Sequence, residues 1–417
     1  MPDINNRADV ETDIAIIGAG PAGAVAAALL RQYDYSVTVL EQSHFPRFSI
    51  GESLLPQCMT FVEEAGMLEA VRAELFQHKN GAMFARNGAT SGFDFGKKFS
   101  AGPATTFQVQ RGRFDQILAA CAADAGADVR FGHRIDSVEI DAERSSQLVV
   151  AVDDSSSYSL RSKFLLDASG FGRVLPRMMG LEAASDFPSR RSVFTHIEDR
   201  IDASDYDRDK ILIVIHPQRQ DVWYWLIPFS NGRSSLGVVA SEDFFDGEQD
   251  DPKEQLLSAV NASPDLNVLL ANAVFDTDVR SIVGYSSNVS SLWGPGFALL
   301  GNAGEFLDPV FSSGVTIAMK SASLVAPLID KQLQGSSVDW EREFSQPLRV
   351  GVDTFRAYVE AWYDGSFQDV IFANNQDENI RKMICSILAG YAWDTENPFV
   401  AQPQRRLRAL AELCRDR

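Results

Sequence analysis

Residues Asp13–Ile17 read DIAII, a short apolar run of the kind that forms a buried strand. It leads into Gly18, Gly20 and Gly23, then into the alanine-rich helical stretch AVAAALLRQY, then into SVTVLE, a second strand ending at Glu41. Helical spacing returns from Met59 to Leu75, and Arg86 to Gln110 alternates polar and aromatic residues in short strands. The segment RGRFDQILAACAADAGADVRFG predicts a helix, apolar at Phe114, Ile117, Leu118 and Cys121, that runs into a strand. Strands with hairpin-like turns fill Ile135 to Leu166 and close on LLDASG, and Ser192 to Val274 is strand-rich, with ILIVIHP, DVWYWLIPFS and SSLGVVAS. From Phe297 a strand, FALLGNAG, precedes a helix, SGVTIAMKSASLVAPLIDKQL, and the chain is mostly helical from about Val338. No internal repeat or low-complexity tract interrupts this order.

Composition narrows the function. With 417 residues, 45% hydrophobic and 23% charged, the chain has an ordinary globular make-up and length for two or three domains. Lys plus Arg number 38 against 57 Asp plus Glu, a net charge of −19 that repels nucleic acid and anionic lipid. The longest apolar run, Ile14 to Leu30, is broken by Gly18, Gly20, Pro21 and Gly23, so no membrane span is expected. The first thirteen residues carry no secretory pattern, which predicts a cytoplasmic protein. Cys58, Cys121, Cys385 and Cys414 are widely spaced and expected to stay reduced, and the five histidines show no i,i+4 pairing for a metal.

The first fifty residues carry the first chemistry. Gly18 permits a tight turn, Gly20 lets a pyrophosphate approach the backbone, and Gly23 lets the helix pack close to the strand. The helix start then offers free N–H groups and the positive end of its dipole to the anion. Glu41, at the end of the second strand, is placed to accept from a ribose diol and to repel a phosphorylated one. The unit binds a dinucleotide, and its geometry suits NAD and FAD equally. A second glycine fingerprint is absent, which removes the usual basis for a dedicated NAD(P)H domain.

Seven segments taken together resemble the flavin-dependent halogenases, on the FAD-dependent monooxygenase fold, across nearly the whole chain. They are GAGPAG (18–23), PRFSIGESLLP (46–56), the lysine of HKNGAMF, QVQRGRFD (108–115), DASG (167–170), WYWLIP (223–228) and GNAGEFLDPVFSSGV (301–315). The resemblance implies a mixed α/β (α+β) fold. A discontinuous Rossmann-like FAD-binding domain (1–78, 105–180, 281–337) would interleave with a mainly antiparallel β-sheet substrate domain (79–104, 181–280), followed by a C-terminal helical region (338–417). It implies FAD, supplied as FADH2 by a separate flavin reductase, held by Gly18, Gly20, Gly23, Glu41, Arg47, Ser49, Arg111, Asn302, Asp308, Pro309, Gly314 and Val315. Asn302 stands where the family usually has Asp; it still hydrogen-bonds a ribityl hydroxyl but carries no charge. The backbone of Ser312, Ser313 and Gly314, at a helix start, would hold chloride or bromide, though Ser312 or Ser313 capping the helix is the plainer reading.

Trp223, Trp225, Ile227 and Pro228 match the family's WxWxIP signature, a structural motif beside the internal tunnel, and Lys79 occupies the place of its catalytic lysine. The family makes hypohalous acid from FADH2, O2 and halide, and such a lysine directs it at an electron-rich ring, as ammonium hydrogen bond or as haloamine. Tryptophan halogenases carry a glutamate where Phe311 stands, so Phe311 marks a different substrate pocket and disfavours free indole. The segment SILAGYAWDTENPFV (386–400) resembles halogenases of rings tethered to acyl or peptidyl carrier proteins. A tethered pyrrolyl group ranks first and a phenol second. Carrier proteins are commonly acidic, so a basic face is needed, with Arg405, Arg406 and Arg408 or Arg190 and Arg191 as candidates. The rival readings are a flavin monooxygenase or geranylgeranyl-reductase-like oxidoreductase without halide chemistry and, in a different class, a non-catalytic flavoprotein sensor.

Overall fold

A computed structural model describes residues 9–141, 146–152, 156–202, 204, 206–246, 251–374 and 377–415. Most of the amino-terminal stretch read for a secretory pattern, residues 1–8, lies outside these. The strand–turn–helix–strand expectation is met by a strand at Asp9–Ile17, a helix at Pro21–Arg31 and a strand at Val37–Glu41. The two strands pair in parallel, Ile14 beside Val37 through Ile17 beside Leu40. On its other edge the first strand pairs in parallel with Ser157–Asp167, which pairs in turn with Phe297–Leu299. With Asp128–Phe131, Trp293–Gly294 and the hairpin strands Arg134–Ile140 and Ser146–Ala151, these make an eight-stranded sheet.

That order fixes where a ligand sits. The first strand is flanked on one side by the strand that follows it and on the other by a strand from far along the chain, so the loops at their carboxyl ends diverge. A crevice opens at such a switch point. Three loops meet there, after Ile17, Asp167 and Leu299. The first helix is buried from Pro21 to Leu30, and its small side chains let it pack against the long helix Ser313–Leu333.

A second sheet of seven strands runs in the order Arg280–Val283, Arg191–Glu198, Arg233–Ala240, Trp223–Pro228, Lys210–Ile215, Gly81–Arg86, Ala89–Asp94. All its pairings are antiparallel except that of Lys210–Ile215 with Gly81–Arg86. Its central strands are buried on both faces, which is why Lys210–Ile215 and Trp223–Pro228 read as nearly continuous apolar runs, while the edge strands Arg280–Val283 and Ala89–Asp94 are largely exposed. Phe84, Phe194, Trp223, Trp225 and Ile227 join the core shared with the first sheet, while Tyr224, Leu226 and Leu236 join a second core under the helix Pro252–Asn261. Trp225 stands directly opposite Gly237, and a Cβ on Gly237 would lie 2.3 Å from its ring.

Two expectations need correction. The single helix foreseen from Met59 to Leu75 is two, Cys58–Glu64 and Leu68–Ala73, because Gly66 takes a left-handed conformation (φ +72°) that ends the first. Arg190 does not belong to a basic surface: it is buried, with its guanidinium 3.4 Å from the centroid of the Tyr363 ring. Arg405, Arg406 and Arg408 are exposed on the helix Pro403–Arg415. The C-terminal region packs inward through the helix Gln346–Tyr363, whose Tyr358 and Trp362 meet Phe311 edge-on at ring-centroid distances of 6.2 and 6.0 Å.

Candidate functional site

At the switch point lies a cavity of about 310 Å³. Its amino-terminal wall is the glycine turn. Gly18 has φ +98°, and a Cβ there would sit 2.6 Å from the Ala168 carbonyl oxygen; a Cβ on Gly23 would sit 1.9 Å from the Gly18 carbonyl oxygen. Only glycine fits at either place. Gly18 and Gly20 line the cavity, whereas Gly23 lies behind it and governs helix packing. No side chain caps the first helix at Gly20, so its opening N–H groups face an incoming anion. Glu41 also lines the cavity, and its carboxylate accepts from the Ala19 N–H (3.1 Å) and the Ser43 N–H (2.9 Å), which clamps the turn to the second strand. Each oxygen keeps a lone pair for a ribose hydroxyl.

The opposite wall comes from the 46–56 segment and the 301–315 loop. Arg47, Ser49, Arg111, Asn302, Pro309, Ser312, Gly314 and Val315 all line the cavity. Arg111 makes a two-pronged ion pair with buried Asp115 (2.8 and 3.0 Å) and donates to the Ile50 carbonyl (2.6 Å), while Arg47 approaches Asp115 at 3.3 Å. Arg111 therefore also braces the 46–56 segment. Asp308 does not line the cavity: it is buried behind the wall, where its Oδ1 accepts from the Val310 N–H and its Oδ2 from the Tyr363 hydroxyl (2.7 Å). Burial pushes its carboxyl up to about 6, against the opposing pull of those two hydrogen bonds. A glycine cradle that any Cβ would fill, open helix amides and a ribose acceptor at the far end together fit a dinucleotide.

Beside this cavity the long helix begins. Ser312 precedes it in a left-handed conformation (φ +55°) and no side chain caps its first turn, so the capping reading of Ser312 and Ser313 is overturned and the first-turn amides are not taken by either hydroxyl. Ser312 and Gly314 face the cavity and Ser313 is buried. Of the tryptophan motif, alternation along the strand turns Trp223, Trp225 and Ile227 to the cavity, while Pro228 does not reach it. Trp223 is held by its Nε1, which donates to the Tyr363 hydroxyl (3.0 Å), and Trp225 by donation to Ser235 Oγ (3.0 Å). Phe311 lies outside the cavity wall, ringed by Tyr358, Trp362 and Phe367.

Lys79 ends the short strand Gln77–Lys79, which pairs antiparallel with Thr106–Gln108. It is 1% exposed, its Nζ donates to the Leu54 carbonyl (2.8 Å), and the Phe95 ring lies 5.5 Å away. Among the described residues it has no carboxylate partner. Burial of an unpaired ammonium drives its pKa down to about 7. The nearby Cys58 gives no compensating charge, since burial pushes its thiol up. Lys79 is separated from the dinucleotide cavity by the 52–55 segment, of which Glu52 and Ser53 face the cavity and Leu54 meets the amine.

Sequence reasoning missed several of these residues. Tyr363 joins the tryptophan motif to Asp308 from 140 positions along the chain, and nothing local marks it. Glu52 lies in the quoted PRFSIGESLLP segment; it is buried, lines the cavity and pairs with His196 (2.6 Å), and a charged residue amid apolar neighbours was the available signal.

Comparison with known proteins gives four likenesses. The FAD binding domain family matches residues 11–341. A 1H-pyrrole-2-carbonyl-[peptidyl-carrier protein] brominase from Pseudoalteromonas luteoviolacea is 31% identical over 92% of this chain and 93% of its own. A tryptophan 2-halogenase from Chondromyces crocatus is 32% identical over 78% of this chain and 62% of its own. Among solved structures, a flavoprotein/dehydrogenase from Cytophaga hutchinsonii superposes with a TM-score of 0.93 at 42% identity, covering 97% of this chain and 99% of that one.

Proposed function

The chain belongs to the FAD binding domain family and, within it, to the flavin-dependent halogenases, and on that premise we propose that it halogenates a pyrrolyl group tethered to a carrier protein, with Lys79 as the relay. When bound, FADH2 with O2 and chloride or bromide supplies hypohalous acid. The chain's own residues do the rest. The first-turn amides at Ser313 and Gly314 hold the halide beside the cavity, and Gly18, Gly20 and Glu41 hold the adenosine end. Asn302, Pro309 and Val315 line the part of the cavity nearest the halide corner. Trp223 and Trp225 close that cavity against the ring to be modified.

The observation that carries this reading is a lysine buried without a counter-ion next to the flavin cavity wall. With a pKa of about 7, ammonium and amine are both populated at neutral pH. The ammonium donates a hydrogen bond to the oxygen of hypohalous acid, leaving the halogen as the electrophilic end; the amine takes the halogen as a haloamine and releases water. In the transfer the ring C–H bond breaks, the C–halogen bond forms, and the ring proton leaves with the displaced oxygen or returns to the amine. A carrier protein bearing the ring and a flavin reductase are the implied partners, in the cytoplasm, where reduced flavin is made. No helix among the described residues is long and apolar enough to cross a membrane. Phe311 in place of a glutamate and the brominase relative support the tethered pyrrolyl group over free indole.

The test is mass spectrometry of carrier proteins loaded with pyrrolyl or phenolic groups, and of free tryptophan, after incubation with FADH2, O2 and either halide. A halogen isotope pattern on the pyrrolyl tether that disappears in Lys79→Met is expected. A hydroxylated product with no halide requirement would overturn the proposal in favour of a monooxygenase.

A further inference from the structure

The small sheet that carries Lys79 holds, with Ser53 beside it, several buried polar atoms that have no hydrogen-bond partner among the described residues. Lys79 pairs with Thr106 and Gln77 with Gln108, and Ser53 bridges to Gln108 from the other side. Paired residues, and residues two apart on a strand, project to the same face. Lys79, Thr106, Gln108 and Ser53 therefore share one face. Among the described residues, Thr106 Oγ1, Gln108 Oε1 and Ser53 Oγ are buried without any hydrogen-bond partner. A buried polar atom left unpaired costs about 1–3 kcal/mol, and three beside one amine call for a ligand that pairs them.

Gln108 states what kind of ligand. Its residue is fully buried, and its amide nitrogen donates to the Arg208 carbonyl (3.0 Å), which fixes the orientation of the amide. The unpaired atom is thus an acceptor, and what it lacks is a donor. Pyrroles and phenols, as electron-rich rings, carry such a donor in the N–H or O–H that makes them electron-rich. Neighbouring rows of this sheet, Lys79 with Thr106 and Gln77 with Gln108, are about 7 Å apart along the strand. One small ring hydrogen-bonded to the amide in one row would present its far carbon to the amine in the other.

Two cavities approach this row from different sides, and Lys79 and Gln108 lie buried between them without lining either. Ser53 lines the flavin cavity, whereas Thr106 lines a separate cleft of about 240 Å³ with Met59, Glu63, Leu68, Arg72 and Phe107. That cleft opens between the helices Cys58–Glu64 and Leu68–Ala73 and the Pro103–Phe107 segment, and its walls mix apolar side chains (Met59, Leu68, Phe107) with polar and charged ones (Glu63, Arg72, Thr105). We propose that the aromatic substrate reaches Lys79 through this second cleft, on the side away from the flavin cavity, and that Gln108 Oε1 accepts the hydrogen bond of its ring N–H or O–H. This rests on the reading of Lys79 as the halogen relay. It makes Gln108 a specificity residue, and it keeps a tethered ring out of the flavin's own cavity.

The experiment compares kcat/KM for a pyrrole-2-carbonyl thioester with that for its N-methyl analogue, in the wild-type protein and in Gln108→Leu, each checked for bound FAD. The wild type is expected to prefer the N–H compound by at least about tenfold, and Gln108→Leu to lose about that factor, one hydrogen bond's worth. An unchanged preference in Gln108→Leu would overturn the role of Gln108. Thr105→Trp, an exposed residue at the cleft rim, is a second variant that leaves the buried row intact. A kcat/KM for the tethered substrate reduced at least fivefold supports access through this cleft, and an unchanged value overturns it. Trapping of hypohalous acid by a soluble scavenger in the wild type, with no arene present, separates the two levels: its absence would sink the halogenase reading itself.

Discussion

Replacing Lys79 by methionine should make the protein more stable as it makes it inactive, and the size of the gain follows from the burial of the amine. In the unfolded chain this ammonium titrates near 10.5 and in the native protein near 7. Between those values the unfolded state holds a proton that the native state lacks, so wild-type stability rises with pH by about 1.4 kcal/mol per unit. From pH 7 to 9 the rise is about 2.3 kcal/mol, and at pH 7 the remaining burden on the wild type is about 4 kcal/mol. Methionine fills nearly the same volume without a charge. It leaves the Leu54 carbonyl without its donor, a loss of about 1 kcal/mol. The net expectation is that Lys79→Met exceeds the wild type by roughly 3 kcal/mol at pH 7 and by about 1 at pH 9. Urea unfolding of both proteins at pH 7, 8 and 9 measures the difference directly. Parallel curves, or a less stable variant at pH 7, would refute the claim that the amine is buried and uncompensated.

Gly23→Ala should purify without flavin, because a Cβ 1.9 Å from the Gly18 carbonyl oxygen must push the helix from the glycine turn; an absorbance spectrum with a full complement of FAD would contradict this. Gly237→Ala should displace the Trp225 ring and cost about 1–3 kcal/mol, read as a lowered unfolding midpoint and an altered tryptophan emission spectrum. Tyr363→Phe removes the donor to Asp308 and the acceptor of Trp223 Nε1, and should cost roughly 2–4 kcal/mol above pH 6. The native carboxyl titrates near 6 and the unfolded one near 3.8, so stability falls as pH rises between them. The variant should extend that fall to higher pH and lose less below it, and a deficit independent of pH would count against the Asp308 contact.

What the sequence made legible was whatever a local pattern encodes. The glycine turn, its helix and the two flanking strands follow from spacing alone, because Gly18 needs its own positive φ and Gly23 is constrained by the Gly18 carbonyl only five positions away; the Ala168 carbonyl that also confines Gly18 is not legible locally. The aromatic strand at Trp223–Pro228 was legible as a strand, and its two-sided burial explains why every position in it is apolar or aromatic. The break at Gly66 was missed because helical spacing continues across it, and a single left-handed glycine does not disturb the count. Arg190 read as surface because arginine mostly is; only the fold places the Tyr363 ring beneath its guanidinium.

Lys79 marks the limit of local reading, and also the reason the site works as one. Nothing around HKN distinguishes a buried amine from a solvated one; the depth comes from three separate segments. Thr106–Gln108 pairs with its strand, the Leu54 carbonyl accepts its hydrogen bond, and Phe95 covers it. The same 52–55 segment that binds the amine through Leu54 turns Glu52 and Ser53 to the flavin cavity. One stretch of backbone thus forms the wall between the place where an oxidant would be made and the amine that would hold it. Such a wall puts the amine one strand's thickness from the cavity, since Leu54, which meets the amine, directly follows Ser53, which lines the cavity. On the proposed function the oxidant would meet that amine before bulk water, and the substrate would come from the other side of the wall.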